Sequence, residues 1–245
     1  MRGFAPAPNH RGVVLPRSLG LLVLAGAAAW TLGAELVGRV GRAGWAALAG
    51  CGVVFAAGLV DDLVPGGPRG LRGHLRALLD GRVSTGAVKL VAIVGAAVFT
   101  VALAHPRPGW ARLAGVVLVA GAANVANALD VRPGRALKAS LPAAMGAALA
   151  GGPGRLPPLL GALVGAAVAL PLDLRERAML GDSGANLLGF AAGLGLYGVL
   201  PAWAVPGAAA AVVALNLLAE TVTLSALIER SALLRSVDRL GRLPD

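Results

Sequence analysis

The sequence predicts an all-α fold, a single integral membrane domain of about eight transmembrane helices. Three observations support this class. Hydrophobic residues make up 57% of the 245 residues and charged residues only 14%, whereas soluble domains carry about 25% charged residues. Uncharged stretches near the ~20 residues that span a bilayer recur along the chain. The 36 glycines suit helix bundles in lipid, because small residues let backbones approach closely.

The predicted helices follow one another with short polar connections. Residues 1–17 contain no apolar core of a signal peptide and are predicted to be a cytoplasmic N-terminal segment. The spans are predicted at residues 18–38, 44–60, 85–104, 111–130, 136–151, 156–172, 184–200 and 203–228. Residues 229–245 are predicted to be a cytoplasmic tail.

The distribution of basic residues predicts the orientation of the helices, because Lys and Arg collect in cytoplasmic loops. When successive loops alternate between the two sides, most of the 22 basic residues fall on the side of the chain termini. The exceptions are Arg39, Arg42, Arg107, Arg112 and Arg155. We therefore expect a multi-pass protein of the inner (plasma) membrane with both termini in the cytoplasm. The net charge of +10 does not indicate a nucleic-acid partner, because these bases lie in short loops beside spans.

The acidic residues need a separate explanation, because Asp and Glu contribute little to orientation. Of the 12 acids, only Glu35 falls toward the outer side. Asp61 and Asp62 end the second span after an uncharged run from residue 44 to residue 57. Such carboxylates are costly beside hydrocarbon unless they are paired or do chemistry. Neighbouring helical residues point ~100° apart, so the two need not share one role. A solvated helix end is the alternative interpretation.

Two further motifs place polar residues at the same end. In NVANALD, Asn124, Asn127 and Asp130 recur every three residues and cover one side of a helix. They indicate a polar cavity, although buried amides could also pair neighbouring helices. In MLGDSGANLLG, Asp182 and Ser183 open a span. Asp182 is either a helix N-cap or a metal ligand at a helix N-terminus, where phosphate also binds.

Together, the DD pair, NxxNxxD and GDSG in this order resemble the polyprenyl-phosphate N-acetylhexosamine-1-phosphate transferases, over most of the chain from about Pro8. The resemblance implies an Mg²⁺-dependent membrane enzyme of cell-envelope glycan synthesis, with its active site on the cytoplasmic face. Such an enzyme moves a sugar-1-phosphate from a nucleotide sugar, here expected to be a UDP-N-acetylhexosamine, to a polyprenyl phosphate such as undecaprenyl phosphate. A nucleoside monophosphate is released. A second copy of the chain, in a homodimer, is a further candidate partner.

The resemblance also implies roles for individual residues. Asp182 would bind Mg²⁺, and Asn127 would help hold the metal and the donor diphosphate. Asp61 and Asp62 would match the family's catalytic aspartate pair, one of which would act on the polyprenyl phosphate, and Asp182 would be the third catalytic residue. Asn124 and Asp130 would contact the donor, with Asp130 near the nucleoside. A hard cation with oxygen ligands suits this chemistry, because two phosphorylated anions must meet.

Three basic residues after the DD pair, Arg72, His74 and Arg76, are candidate phosphate contacts. An exposed amphipathic helix at the membrane surface is an equal alternative for them.

The chain departs from the family pattern in three respects. After Asp130 it reads VRPGR, where the family continues Gly-x-Asp-Gly, so a second acid near the nucleoside is expected to be missing. Arg132 and Arg135 are expected to make that part of the pocket more cationic. The family's late histidine cluster also has no counterpart, and the family's first and last helices are expected to be missing.

Two other classes therefore stay open. One is a catalytically degenerate relative that binds lipid phosphate or acts as a scaffold. The other is a transporter, whose polar residues would be expected near the midplane rather than at one end.

Overall fold

The computed structural model describes residues 4–64, 73, 79–81, 83–104, 106–151, 157–221 and 224–244. The chain is an all-α helix bundle with one short β-hairpin, which confirms the predicted fold class. Helices occupy all the predicted positions. They are α1 Leu19–Leu36, α2 Arg42–Leu63, α3 Thr85–Leu103, α4 Gly109–Leu129, α5 Arg135–Gly151, α6 Pro157–Leu174, α7 Gly181–Val199 and α8 Val205–Thr221, followed by the short helices α9 Leu224–Arg230 and α10 Ala232–Arg239.

Within the described residues, 6 helical segments are long and apolar enough to cross a membrane. They are α1, α2, α3, α4, α6 and the segment Ala202–Thr221, which contains α8. This supports the prediction of a multi-pass membrane protein. The two remaining long helices are α5, which has 17 residues, and α7, most of which is buried by other helices. Because α7 is shielded from lipid, it can begin with polar residues.

One helix boundary differs from the prediction. Helix α7 begins at Gly181, before the predicted residue 184, so Asp182 lies inside its first turn. Within the last predicted span, which runs to residue 228, the described residues are helical in Val205–Thr221 and from Leu224 onward. Helix α10 then starts after Ser231, whose hydroxyl accepts a hydrogen bond from the Leu234 amide.

Helix α7 forms the centre of the bundle and packs against α1, α2, α4, α5 and α6. Its fully buried large side chains include Leu187, Leu188, Phe190 and Tyr197. Helices α1 and α6 make the closest backbone contact. A Cβ atom on Gly161 would lie 2.1 Å from the Gly26 carbonyl oxygen, so only glycine fits there. This agrees with the small-residue packing that the composition predicts.

Residues 4–17, expected only as a polar segment, contain a β-hairpin. Strand β1 (Pro6–Pro8) pairs antiparallel with β2 (Val14–Pro16). The Asn9 side chain closes the turn by accepting hydrogen bonds from the Arg11 and Val13 amides, both at 2.9 Å. The Met179 amide donates to the Pro16 carbonyl at 2.8 Å, which ties the hairpin to the segment before α7. The hairpin therefore covers the end of the bundle where α7 begins, here called the polar end.

Candidate functional site

The polar end gathers carboxylates at helix C-termini. Asp61 and Asp62 lie in the last turn of α2, Asp130 follows the end of α4, and Asp173 lies near the end of α6. A helix C-terminus carries partial negative charge and favours cations, yet none of these helices has a basic residue in its last turn. Sites that break such a local rule are often functional ones.

Asp62 caps the N-terminus of α7 from the neighbouring helix. Its Oδ1 accepts the Asp182 amide and its Oδ2 the Ser183 amide, each at 3.0 Å. The Arg17 guanidinium adds an ion pair at 3.2 Å. Asp62 is only 5% exposed, so it is not a solvated helix end. A carboxylate at a helix N-terminus is stabilised by the free amides and the dipole. Both oxygens are thus already occupied, and its predicted catalytic role stays a prediction.

Gly181 makes this cap possible. Its φ of +72° belongs to the left-handed region, and a Cβ there would come within 2.8 Å of Asp62 Oδ2. Asp182 does not act as the N-cap of α7, because the cap position is Leu180 and no side chain of α7 caps the helix. The N-cap interpretation of Asp182 is therefore wrong. Its carboxylate is left to other partners.

The other aspartate of the pair, Asp61, takes part in a different group. The Lys89 ammonium donates to Asp61 Oδ2 at 2.6 Å and to Asp182 Oδ2 at 2.5 Å. Thr85 Oγ1 donates to Asp61 Oδ1 at 2.6 Å. Lys89 thus bridges two of the predicted catalytic carboxylates. Lys89 was not among the residues predicted from the sequence, although a lysine within a predicted span is itself a signal of function.

The NxxNxxD motif divides between two environments. The Asn124 side chain donates to Asn216 Oδ1 of α8 at 2.6 Å, and Asn216 Nδ2 donates to the Gly121 carbonyl. Asn124 therefore joins two helices, which is the alternative that the sequence left open for buried amides. Asn127 Oδ1 is buried without a hydrogen-bond partner in the described part of the chain. Asp130 lines a cleft.

This polar cleft has a volume of about 330 Å³. The hairpin, the α4–α5 loop (residues 130–134), the end of α6 and the start of α7 enclose it. Its charged or titratable lining residues are His10, Arg17, Asp130, Arg132, Asp173, Glu176 and Asp182. A volume of this size is at the lower end of small-molecule sites. Asn124 is not among the lining residues, whereas Asp130 and Asp182 are.

The surroundings of Asp130 in this cleft disfavour its ionised carboxylate. Burial, with the neighbouring charges of Asp173, Asp182 and Asp62, raises the pKa of Asp130 well above its ordinary value. Asp173 is held by the Gly134 amide, which donates to its Oδ2 at 2.7 Å. The VRPGR segment contains no second acid, but α6 supplies Asp173 to the same cleft. The sequence could not show this, since the two residues are far apart along the chain.

The two arginines that were expected to make this part of the pocket more cationic lie in different surroundings. Arg132 lines the cleft. Arg135 instead points away into a buried ion pair, with its Nε 2.8 Å from Asp238 Oδ1 and its Nη2 2.9 Å from Oδ2. There it shares the Asp238 carboxylate with the Arg242 guanidinium.

The oxygen donors at the polar end fit Mg²⁺ in type. Among the described residues, no group of three or more His, Cys, Asp or Glu side chains could hold a metal ion. Mg²⁺, however, is usually held by one or two carboxylates together with water and substrate phosphates. Asp182 supplies a carboxylate, and Asn127 Oδ1 is a buried acceptor that lacks a partner in the described chain. The predicted phosphate contacts Arg72, His74 and Arg76 lie outside the described residues.

Comparison of this chain with protein-family models, with curated proteins and with solved structures gives no match.

Proposed function

We propose that this chain is an Mg²⁺-dependent transferase that moves a sugar-1-phosphate from a nucleotide sugar to a polyprenyl phosphate, with release of a nucleoside monophosphate. The observation that carries the proposal is the Asp61–Lys89–Asp182 group beside a polar cleft at one end of a membrane bundle. The site offers acidic and basic side chains to a polar donor. It also lies next to apolar helices, which suit a lipid acceptor. A UDP-N-acetylhexosamine is the donor that the sequence motifs favour.

Asp182 and Asn127 would hold the metal ion. When bound, Mg²⁺ would neutralise charge at the transferring phosphoryl group. Arg132 and Arg17 are placed to contact the anionic part of the donor, since both line the cleft. Asp61 would receive the proton of the lipid phosphate or orient that phosphate. Its Oδ2 is 2.6 Å from the Lys89 ammonium, and Lys89 also donates to Asp182 Oδ2.

A catalytically degenerate, lipid-phosphate-binding relative is the second candidate. One observation favours it. Lys89 forms ion pairs with both Asp61 and Asp182, as in a structural ion-pair cluster. A transporter is less well supported, because the acids lie at helix ends rather than near the midplane.

The test is release of UMP from UDP-N-acetylglucosamine by the purified protein in lipid nanodiscs containing undecaprenyl phosphate. Activity should require both the lipid and Mg²⁺. Asp182→Asn should lower turnover at least ~100-fold, because a metal ligand contributes several kcal/mol to the transition state. Glu35→Gln, an exposed acid in the last turns of α1, is the matched control and should keep full turnover. Full turnover of Asp182→Asn would exclude the metal assignment. No turnover with a panel of nucleotide sugars would favour the degenerate relative.

A further inference from the structure

The C-terminal tail (residues 224–244) folds back onto the polar end through a buried carboxylate. Asp238 is 5% exposed and Arg135 4% exposed. The two form a two-point ion pair, in which Nε and Nη2 of Arg135 donate to the two carboxylate oxygens of Asp238 at 2.8 Å and 2.9 Å. A second guanidinium, that of Arg242, donates to Asp238 Oδ1 at 2.6 Å and to the Pro133 carbonyl at 2.9 Å. Planar two-point pairing of this kind fixes geometry as well as charge.

Further contacts extend the tail across both sides of the cleft. The Lys138 ammonium donates to the carbonyls of Val237, Asp238 and Leu240. Arg11, in the hairpin, donates to the Leu243 carbonyl at 3.3 Å and to the Pro244 carbonyl at 2.5 Å. The tail therefore contacts the two elements, loop and hairpin, that supply much of the lining of the polar cleft.

The α4–α5 loop is anchored at two points. On the cleft side, the Gly134 amide donates to Asp173. On the tail side, Arg242 holds the Pro133 carbonyl. Arg132 immediately precedes these anchors and lines the cleft. The direction of its side chain depends on the loop backbone, and one of the two anchors depends on Asp238.

We propose that Asp238 is a positioning residue for the cleft: through Arg135 and Arg242 it fixes the α4–α5 loop, so that Arg132 meets the phosphate groups of a nucleotide-sugar donor. The ligand in this inference rests on the proposed function, whereas the coupling of tail to loop does not. A buried ion pair contributes little net stability compared with apolar residues of similar volume. We therefore attribute the ion pair of Asp238 to the geometry that it fixes. Removing one partner leaves an uncompensated buried charge, which should release the loop.

The first experiment measures hydrogen exchange in the full chain in nanodiscs, comparing wild type with Asp238→Asn. The amide of Gly134 should exchange at least ~10-fold faster in the variant, because local opening of the loop becomes easier. Glu229→Gln is the matched control, since it removes an acid from the same tail whose ion pair with Arg239 is exposed. It should leave the exchange of Gly134 unchanged. Unchanged exchange in Asp238→Asn would overturn the proposal.

If Asp238→Asn does not fold, the wild-type protein alone gives the answer. Under increasing urea, the amides of Gly134 and Leu240 should open together with one common free energy, as one cooperative unit. The Leu240 amide is protected by its hydrogen bond to the Ser236 carbonyl. Opening of the tail while Gly134 keeps its full protection would overturn the coupling.

The second experiment tests whether Asp238 acts through Arg132. Arg132→Gln should raise the donor KM about 10-fold, the effect of ~1.4 kcal/mol, with kcat little changed. Asp238→Asn should raise KM in the same way. The double variant should resemble Arg132→Gln, because residues that act through one another are not additive. If the fold-increases in KM of the two single variants multiply in the double variant, the positioning role is refuted. If wild type turns over no nucleotide sugar, the proposed function fails, and the exchange experiment still decides the coupling of tail and loop.

Discussion

The two adjacent aspartates of α2 should have opposite effects on stability and activity. Asp62→Ala removes the acceptor of two backbone amides, those of Asp182 and Ser183. It also removes the partner of Arg17. Asp61→Ala removes the hydrogen bonds with Thr85 and Lys89. We expect the Asp62 variant to be unstable and the Asp61 variant to fold normally but to lose turnover.

The magnitude for Asp62 follows from its contacts. Each buried amide left without an acceptor costs about 1–3 kcal/mol. The Arg17 side chain is 29% exposed, so its pair adds little. The total is about 3 kcal/mol, which for a chain of this size lowers the unfolding midpoint by roughly 6–12 °C. For Asp61 the lost bonds are partly exposed, and Lys89 keeps Asp182 as a partner. We therefore expect a change within about 1 kcal/mol.

The assay is thermal unfolding of both variants in the same detergent, followed by helical circular dichroism, with UMP release measured in parallel. Asp62→Ala should lower the midpoint by the range above, and Asp62→Asn by less, because the amide oxygen can still accept one hydrogen bond. Equal midpoints for wild type and Asp62→Ala would refute the capping role. Loss of stability in Asp61→Ala comparable to that of Asp62→Ala would show that the two residues do not divide the roles in this way.

Three further outcomes are expected. Asp130→Asn should raise the unfolding midpoint by about 2–4 °C, the shift given by ~1 kcal/mol, because it removes a charge crowded by other carboxylates; a lowered midpoint would contradict this. Gly161→Ala should destabilise by about 1–3 kcal/mol, seen as a lower midpoint, since its Cβ would collide with the Gly26 carbonyl. Burial raises the pKa of Asp238, but the hydrogen bond of Arg135 and the charges of Arg135, Arg242 and Lys138 outweigh it and hold that pKa below the ordinary 3.8. The stability that Asp238 contributes is therefore complete above about pH 4 and is lost as the pH falls through the lowered pKa. Hydrogen exchange of the tail amides should accordingly be slow at pH 5 and disproportionately fast near pH 2, beyond the intrinsic pH dependence of exchange.

The sequence alone determined the fold class and the positions of the long helices. Apolar stretches of the right length can hardly adopt another structure in a bilayer, because every backbone polar group must be satisfied within the segment. The same reasoning placed most of the acids at one end. The adjacent positions of Asp61 and Asp62 on a helix also indicated that they need not share a role. The structure gives them different partners, Lys89 for the first and the start of α7 for the second.

Only the tertiary structure decided how these residues are paired. That Lys89 bridges Asp61 and Asp182, and that Asp173 supplies a second acid beside Asp130, depends on which helix ends meet. The ion pair of Arg135 with Asp238, 103 residues away, separates Arg135 from Arg132, although both belong to the VRPGR segment. Helical periodicity gives the face of the helix on which a side chain lies. The net charge of a site, in contrast, is the sum of the charges of all the side chains that surround it. Those neighbours come from distant segments, and their proximity is fixed by close packing of the whole bundle.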